Sequence, residues 1–358
     1  MAPSPPGARG RGAVSNASGR FESRTRDDFD DGWTSDDALP GALRTTVTAE
    51  TARVIITRND SPDVGFDRSI NPYRGCEHGC IYCFARPAHA YMGLSPGLDF
   101  ESKIFFKPDA ARLLAQELAR PSYRPATIHI GGNTDAYQPQ ERRLRVTRQV
   151  LEVLQRFGHP FSIITKSALI VRDLDIIGPM AAAGLARAAV SITTLDRTLA
   201  RQMEPRAATP ERRLWALRQL AQAKVPTIAM FAPVIPGLND HELESVLEAA
   251  AVVGAAGAGY VVLRLPLEIK DLFREWLAAN RPDRAARVMS LVRQMRGGKD
   301  YDVRWGMRMK GEGPIAELIG QRFKIARRRF GLDRTLPPLD LAAFRIPRAS
   351  SNQLELFG

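Results

Sequence analysis

Asn71-Pro-Tyr-Arg-Gly-Cys-Glu-His-Gly-Cys-Ile-Tyr-Cys-Phe-Ala-Arg86 gathers Cys76, Cys80 and Cys83, the three cysteines of the 358-residue chain, into one short stretch. Spacings of three and two residues let one loop aim three thiolates at a single centre, and Gly75 and Gly79 permit the turns. Thiolates select soft metals, chiefly zinc, copper(I) or an iron-sulfur cluster, and they bind only when deprotonated. A structural zinc site closes with four ligands, and the nearby fourth candidate is His78, inside the same loop. A ferredoxin-type 4Fe-4S cluster takes four cysteines, so three leave one iron without a protein ligand. An open iron belongs to a cluster that does chemistry rather than one that only stores electrons.

With aromatic Tyr82 just before its last cysteine, Cys76-x3-Cys80-x2-Cys83 resembles the motif of the radical S-adenosylmethionine (SAM) superfamily. The resemblance implies a 4Fe-4S cluster whose open iron chelates the amino and carboxylate groups of SAM. One electron then cleaves the sulfonium to a 5′-deoxyadenosyl radical, which takes hydrogen from a substrate. A redox-inert or zinc-holding loop is the alternative.

The length suits one large barrel-type domain or two ordinary ones, and a hydrophobic content of 44% fills a large core. No run of eighteen apolar residues occurs, and the first residues lack the apolar stretch of a signal peptide, so no membrane partner and a cytoplasmic location are expected. Three clustered cysteines without a spare partner argue against a disulfide framework, and an oxygen-sensitive cluster needs reducing surroundings. The net charge of +12 is uneven: zero over residues 1–58, +5 over 321–358 and +7 between. Such a surplus suits phosphate contacts with a nucleic acid, and equally a solvated basic face without a ligand.

Residues 1–40 are rich in Pro, Gly, Ser, Arg and Asp and read as disordered, the tail running to residue 44. A lead-in arm over 45–65 carries Thr and Val/Ile suited to a short strand between Thr45 and Arg58. Then strands and helices alternate. Strands are expected at 66–70, 126–132, 161–165, 188–193, 227–231 and 260–265, and helices at 108–120, 140–156, 172–183, 209–222 and 240–255. Asn239 with Glu242 three residues on suggests a capping box for the last helix. Six β/α units mean an α/β fold, a partial (β/α)6 TIM-type barrel over residues 66–310, with a parallel sheet and helices outside.

In such barrels chemistry sits at the C-terminal ends of the strands, and the candidate residues fall there. Gly131-Gly132 with Asn133, Thr134 and Asp135 resembles the superfamily's double-glycine motif, where backbone approaches the SAM ammonium. By family position Lys166 faces the SAM carboxylate, Ser191 and Thr193 supply hydroxyls, and Val234 and Ile235 pack on the adenine. Asn71-Pro-Tyr-Arg-Gly-Cys, Gly132-Asn-Thr-Asp-Ala-Tyr-Gln-Pro139 and Ser191-Ile-Thr-Thr194 most resemble the spore photoproduct lyase and DNA-repair-photolyase-like branch, over roughly residues 66–310. That branch acts on DNA and relies on an extra cysteine as hydrogen donor. Here no cysteine remains, so Tyr137, with Tyr91 or Tyr301, is the candidate that passes the hydrogen. The resemblance also implies an electron donor such as flavodoxin or ferredoxin.

Residues 311–330 read as a helix with Ile315, Leu318, Ile319, Phe323 and Ala326 on one side and Arg322, Lys324, Arg327, Arg328 and Arg329 toward its end. The cations suit the helix dipole or a phosphate surface equally. Residues 331–358 read as a flexible tail. Gln353, Leu354, Leu356 and Phe357 within it resemble the peptides with which bacterial repair proteins dock on the DNA sliding clamp, or fold back to cover an edge.

Overall fold

The computed structural model describes residues 10–22 and 43–347. Ten strands are formed among them: β1 (Thr46–Ala49), β2 (Ile56–Arg58), β3 (Arg68–Ile70), β4 (Tyr73–Arg74), β5 (Lys103–Phe106), β6 (Ile128–Ile130), β7 (Phe161–Thr165), β8 (Ala186–Ser191), β9 (Thr227–Val234) and β10 (Gly257–Val262). Seven make one sheet in the order β10-β9-β8-β7-β6-β3-β2, and β1, β5 and β4 make a small second sheet. From β3 to β10 every neighbour in the large sheet is parallel, and β2 adds an antiparallel edge to β3. The barrel is therefore partial, six parallel strands as expected, left open between β10 and β2.

The parallel strands of the large sheet from β3 to β9 bury alternate residues under the helices. Ile128, Ile130, Phe161, Ile163, Ala186, Ala188 and Phe231 join Leu114, Leu118, Val150, Leu154, Ile177, Leu217, Leu220 and Val246 in the main core. The pleat turns Ser69, His129, Ser162, Ile164, Ala189, Met230 and Gly259 to the concave face, where all are half-buried. A Cβ on Gly259 would lie 2.6 Å from the Met230 sulfur, so a larger residue there would displace the Met230 side chain. A second core sits above the strand ends, where Ile81, Leu199, Met203, Ile235, Leu263 and Leu265 pack against Phe273 and Trp276 of the helix Ile269–Asn280.

The helix expected over 140–156 is broken in two, Glu141–Leu144 and Val146–Arg156, by Arg145 at φ 53°. The Glu141 carboxylate explains the break: it accepts the N–H groups of Thr147 at 3.0 Å and Arg148 at 3.3 Å, capping the second helix. The capping box at Asn239 does not form. The Asn239 amide donates instead to the carbonyls of Thr193 (2.7 Å) and Pro233 (3.0 Å), and Glu242 takes the Thr194 hydroxyl (2.5 Å) and the Leu195 N–H (2.6 Å). Both side chains thus tie strand-end loops together.

Two terminal readings need correction. Residues 10–22, placed in the disordered tail from composition, lie against the cysteine loop, with Arg11, Gly12 and Ala13 buried. Residues 331–347, read as flexible tail, run along the N-terminal ends of the strands: Asp340 N–H reaches Gly184 O at 3.0 Å, Arg345 N–H reaches Phe157 O at 2.9 Å, and Phe344 packs on Tyr123 and His159. A few specific contacts outweigh unfavourable average composition. The basic helix forms as Gly313–Arg329, but Leu318 is 56% exposed rather than on its apolar side. Arg322 is paired with Glu244 and Arg327 donates to Leu332 O, leaving Lys324, Arg328 and Arg329 exposed. Gln353, Leu354, Leu356 and Phe357 lie outside the described residues.

Candidate active site

The cysteine loop begins at Gly75, whose φ of +76° and missing Cβ let the chain pass 2.9 Å from Phe100 O at the place a side chain would occupy. Cys76 N–H donates to Phe100 O at 3.0 Å, and turns follow in which Cys83 N–H reaches Cys80 O at 3.1 Å and Arg86 N–H reaches Cys83 O at 3.2 Å. Cys76 and Cys80 are buried and Cys83 is half-buried, with Phe84 exposed beyond it. Burial pushes both buried thiols up, assisted at Cys76 by the Asp135 carboxylate and the other two cysteines and at Cys80 by Glu204. Cys76 and Cys80 therefore lie in low-dielectric surroundings, and a metal group binding there displaces their protons.

Among the described residues no three His, Cys, Asp or Glu side chains converge on a single metal ion. A cluster makes a different demand, since each thiolate binds its own iron. His78, the candidate fourth ligand for zinc, is buried with Nδ1 3.3 Å from the Asp135 carboxylate, so its ring is turned to that partner. Three soft thiolates with no fourth protein ligand among the described residues fit a cluster with one open iron better than a zinc site.

Buried polar groups hold the loop from behind. Arg86 is fully buried and donates to the carbonyls of Cys80 (2.9 Å), Pro96 (3.0 Å), Gly97 (2.9 Å) and Gly79 (3.2 Å) as well as to the Glu101 carboxylate. Thr134 Oγ1 donates to Gly75 O at 2.7 Å and Gln138 to the same oxygen at 3.2 Å. Glu77 takes the Gln140 amide at 2.8 Å and faces Arg206 at 3.3 Å. None of these positions stands out by hydrophobic periodicity. Thr134 and Gln138 fall within the Gly132–Pro139 stretch and Glu77 and Arg86 within the Asn71–Arg86 stretch singled out in the sequence, while Glu101, Gln140 and Arg206 carry no such signal.

On the strand-end side Asp135 is the hub. It accepts from Thr165 Oγ1 at 2.6 Å, Lys166 N–H at 2.8 Å and its own turn at Tyr137 N–H, 2.9 Å. Burial alone would raise this carboxyl, but the His78 ring beside it and the hydrogen bonds from His78, Thr165 and Lys166 N–H outweigh burial and hold it well below the usual carboxylate range. Tyr82 reaches Thr193 Oγ1 at 3.2 Å and donates to Glu204; Thr193 donates to the same carboxylate at 2.6 Å. Glu204 is paired with buried Arg213, which also donates to Ser191 O at 3.1 Å. The Lys166 ammonium stands 5.7 Å from the centroid of the Tyr82 ring. Cys80, Tyr82, Lys166, Ser191 and Thr193 are thus brought to one place.

The double glycine divides its roles. Gly131 has φ +88°, and a Cβ would lie 2.9 Å from Ile164 O, whereas a Cβ on Gly132 would make only ordinary contacts, the shortest 3.5 Å. Asn133 is exposed, its N–H held by the Asn71 side chain at 2.8 Å. Val234 and Ile235 do not present side chains to a ligand: both are fully buried, Val234 in the main core and Ile235 in the upper one. Tyr137 is also misplaced as a hydrogen donor, because it is fully buried and its hydroxyl donates to Asp173 at 3.0 Å in a network with Arg148 and Arg172. Tyr91 packs on Phe21 with Arg20 over its ring.

The sequence pattern of the Radical SAM superfamily matches residues 70–250. An uncharacterised protein of Mycobacterium tuberculosis is 37% identical over 231 residues, 64% of this chain and 68% of that one. An uncharacterised protein of Methanocaldococcus jannaschii is 27% identical over 173 residues, 48% of this chain and 62% of that one. Among solved structures, spore photoproduct lyase complexed with dinucleoside spore photoproduct superposes with a TM-score of 0.55 at 15% identity, covering 79% of this chain and 78% of that one. A variant of the same lyase with bound AdoMet and the dinucleoside gives 0.54 at 16% identity over the same shares.

Proposed function

Because the chain belongs to the radical SAM superfamily, we propose that it is a radical SAM enzyme acting on DNA or another nucleic acid, in the manner of a repair lyase. Cys76, Cys80 and Cys83 hold the cluster, and the strand-end residues Gly132, Asn133, Lys166, Ser191 and Thr193 hold SAM. A 4Fe-4S cluster and SAM, when bound, supply one-electron sulfonium cleavage and a 5′-deoxyadenosyl radical.

The chain's own residues do the rest. Lys166 offers a cation for the SAM carboxylate; its main-chain N–H is held by Asp135 and its ammonium stands over the Tyr82 ring. Tyr82 is fixed by Thr193 and Glu204, which keeps its ring beside Cys80. The upper core packs behind the loop, and the half-buried concave face is the side offered to a substrate in this reading. An electron enters from an external donor such as flavodoxin or ferredoxin, and a cytoplasmic location belongs to the same reading.

The observation that carries the nucleic-acid reading is the shared fold with a lyase that binds a dinucleoside across 79% of this chain. The net charge of +12 supports it, as does the proposed clamp peptide at Gln353, Leu354, Leu356 and Phe357. The test is anaerobic reconstitution with iron and sulfide, followed by dithionite, SAM and measurement of 5′-deoxyadenosine. Wild type forms it and Cys80→Ala does not, and ultraviolet-irradiated DNA changes the rate where untreated DNA does not. Deoxyadenosine formation indifferent to every nucleic acid, damaged or intact, moves the substrate to a protein or small molecule. One zinc taken up with SAM left intact ends the enzyme reading.

A further inference from the structure

Residues 10–17 are fastened to the cysteine loop more tightly than a peripheral arm requires. The Glu101 carboxylate is fully buried and accepts three groups at once: Arg86 from the cysteine loop and the N–H groups of Gly12 and Ala13, each at 2.8 Å. Arg11 answers from the other side, donating to Glu101 O at 2.6 Å, Leu43 O at 2.7 Å and Thr45 Oγ1 at 2.9 Å. Glu101 therefore joins the arm and the loop through one buried charge, and neither half satisfies it alone.

The arm also lies directly on the loop backbone. A Cβ on Gly12 would fall 1.8 Å from Gly79 O, the carbonyl one residue before Cys80. Ala13 packs in the same apolar cluster as Cys80, Ile81, Tyr82 and Trp276. Further along, Ser15 Oγ donates to Glu275 at 2.6 Å, Leu98 N–H donates to Ser15 O at 3.2 Å, and Asn16 exchanges hydrogen bonds with Asp99 at 2.9 and 3.1 Å. The arm is thus anchored to the cysteine loop, to the segment carrying Glu101 and to the helix Ile269–Asn280.

We propose that residues 10–17 are a strap that seals the cysteine loop from solvent and holds Gly79 and Cys80 in their cluster-binding shape. Gly12, Glu101 and Arg86 are positioning residues in this device, acting through the loop. Without the strap, the Gly79 carbonyl and the back of Cys80 face water, and oxidants reach the cluster by that route. The inference rests on the cluster reading, and the experiment separates the two.

The full chain, Gly12→Val and a chain lacking residues 1–17 are reconstituted with iron and sulfide under nitrogen, then exposed to air while the cluster's visible absorbance is followed. Far-UV circular dichroism checks that each is folded. The expected result is reduced initial iron uptake, several-fold faster bleaching of the cluster that forms in Gly12→Val and the shortened chain, and an altered electron paramagnetic resonance signal in both. A synthetic peptide of residues 8–18 added to the shortened chain slows bleaching again, and the same peptide with Gly12→Val does not. Bleaching at the parental rate in both altered chains, or no rescue by the peptide, overturns the strap. Failure of the full chain to take up iron and sulfide overturns the cluster reading instead.

Discussion

The cysteine loop beyond the strand ends and the concave face of the sheet are built by opposite rules. Behind the loop, charges are paired and buried: Arg86 with Glu101 and Arg213 with Glu204, none more than 2% exposed at the side chain. On the concave face Ser69, His129, Ser162, Ala189 and Met230 are half-buried and uncharged, Arg187 stands in register beside Ser162 with its Nε buried and without a partner among the described residues, and hydrogen bonds are few and local, such as His129 Nδ1 to Ser162 Oγ at 2.9 Å. The difference teaches where shape is fixed in advance and where it is left for a ligand. A buried ion pair costs desolvation and returns a unique geometry, which suits a group that must be met by three sulfurs.

The largest expected effect comes from breaking the saturated side. Glu204→Ala leaves Arg213 buried without a partner and Tyr82 and Thr193 without their acceptor, and should destabilise the fold by about 3–5 kcal/mol. Denaturant unfolding measures it. A loss below ~1 kcal/mol would mean that the pair is dispensable and the contrast with the concave face is only one of appearance.

Next comes the double glycine, which stands at the border of the two regions. Gly131→Ala puts a Cβ against Ile164 O in a left-handed backbone and should cost about 1–3 kcal/mol. Gly132→Ala meets nothing closer than 3.5 Å and should leave stability within about 0.5 kcal/mol. If Gly132 is bare so that SAM can approach, this second variant raises the KM for SAM without moving the unfolding midpoint. An unchanged KM would remove Gly132 from the site.

A pH-dependent effect falls on acid stability. Burial lowers the rings of His89, His129 and His159 to about 4. Between pH 6.5 and 4 the unfolded chain binds protons that the folded rings refuse, so their contribution is complete above pH 6.5 and is lost as pH falls toward 4. His129→Gln, the one change on the concave face, should remove about a third of that slope if the three rings contribute equally. A slope unchanged by this substitution would show the His129 ring to be solvated, and the concave face more open than its burial indicates.

Much of this was legible in the chain itself. Six strands and their helices were marked by β-branched runs and helical spacing, because a parallel sheet buried under helices needs apolar residues at nearly every alternate position. The cysteine spacing marked the loop, since chelation by neighbours in sequence is a local event. Tyr137 and Val234 misled for a physical reason: proximity to a motif says nothing about which way a side chain turns, and both turn into the core. Asn239 was read as a helix cap, and instead it bridges two strand-end loops, because a polar side chain takes whichever partner the fold brings within reach.

The sequence by itself determined the strand and helix periods, the three-thiolate loop and the strand-end position of the candidate residues, all of which depend on residues close together in the chain. Only the tertiary structure decided which buried charges meet. Arg11 meets Glu101 from 90 residues away and Tyr82 meets Glu204 from 122, joining the nearer pairs Arg86–Glu101, 15 apart, and Glu204–Arg213, 9 apart, into single buried networks. Their pairing is fixed by the packing of the whole barrel. Pattern along a chain reports periodicity and burial, while the choice of a partner for a buried charge is a property of three-dimensional space.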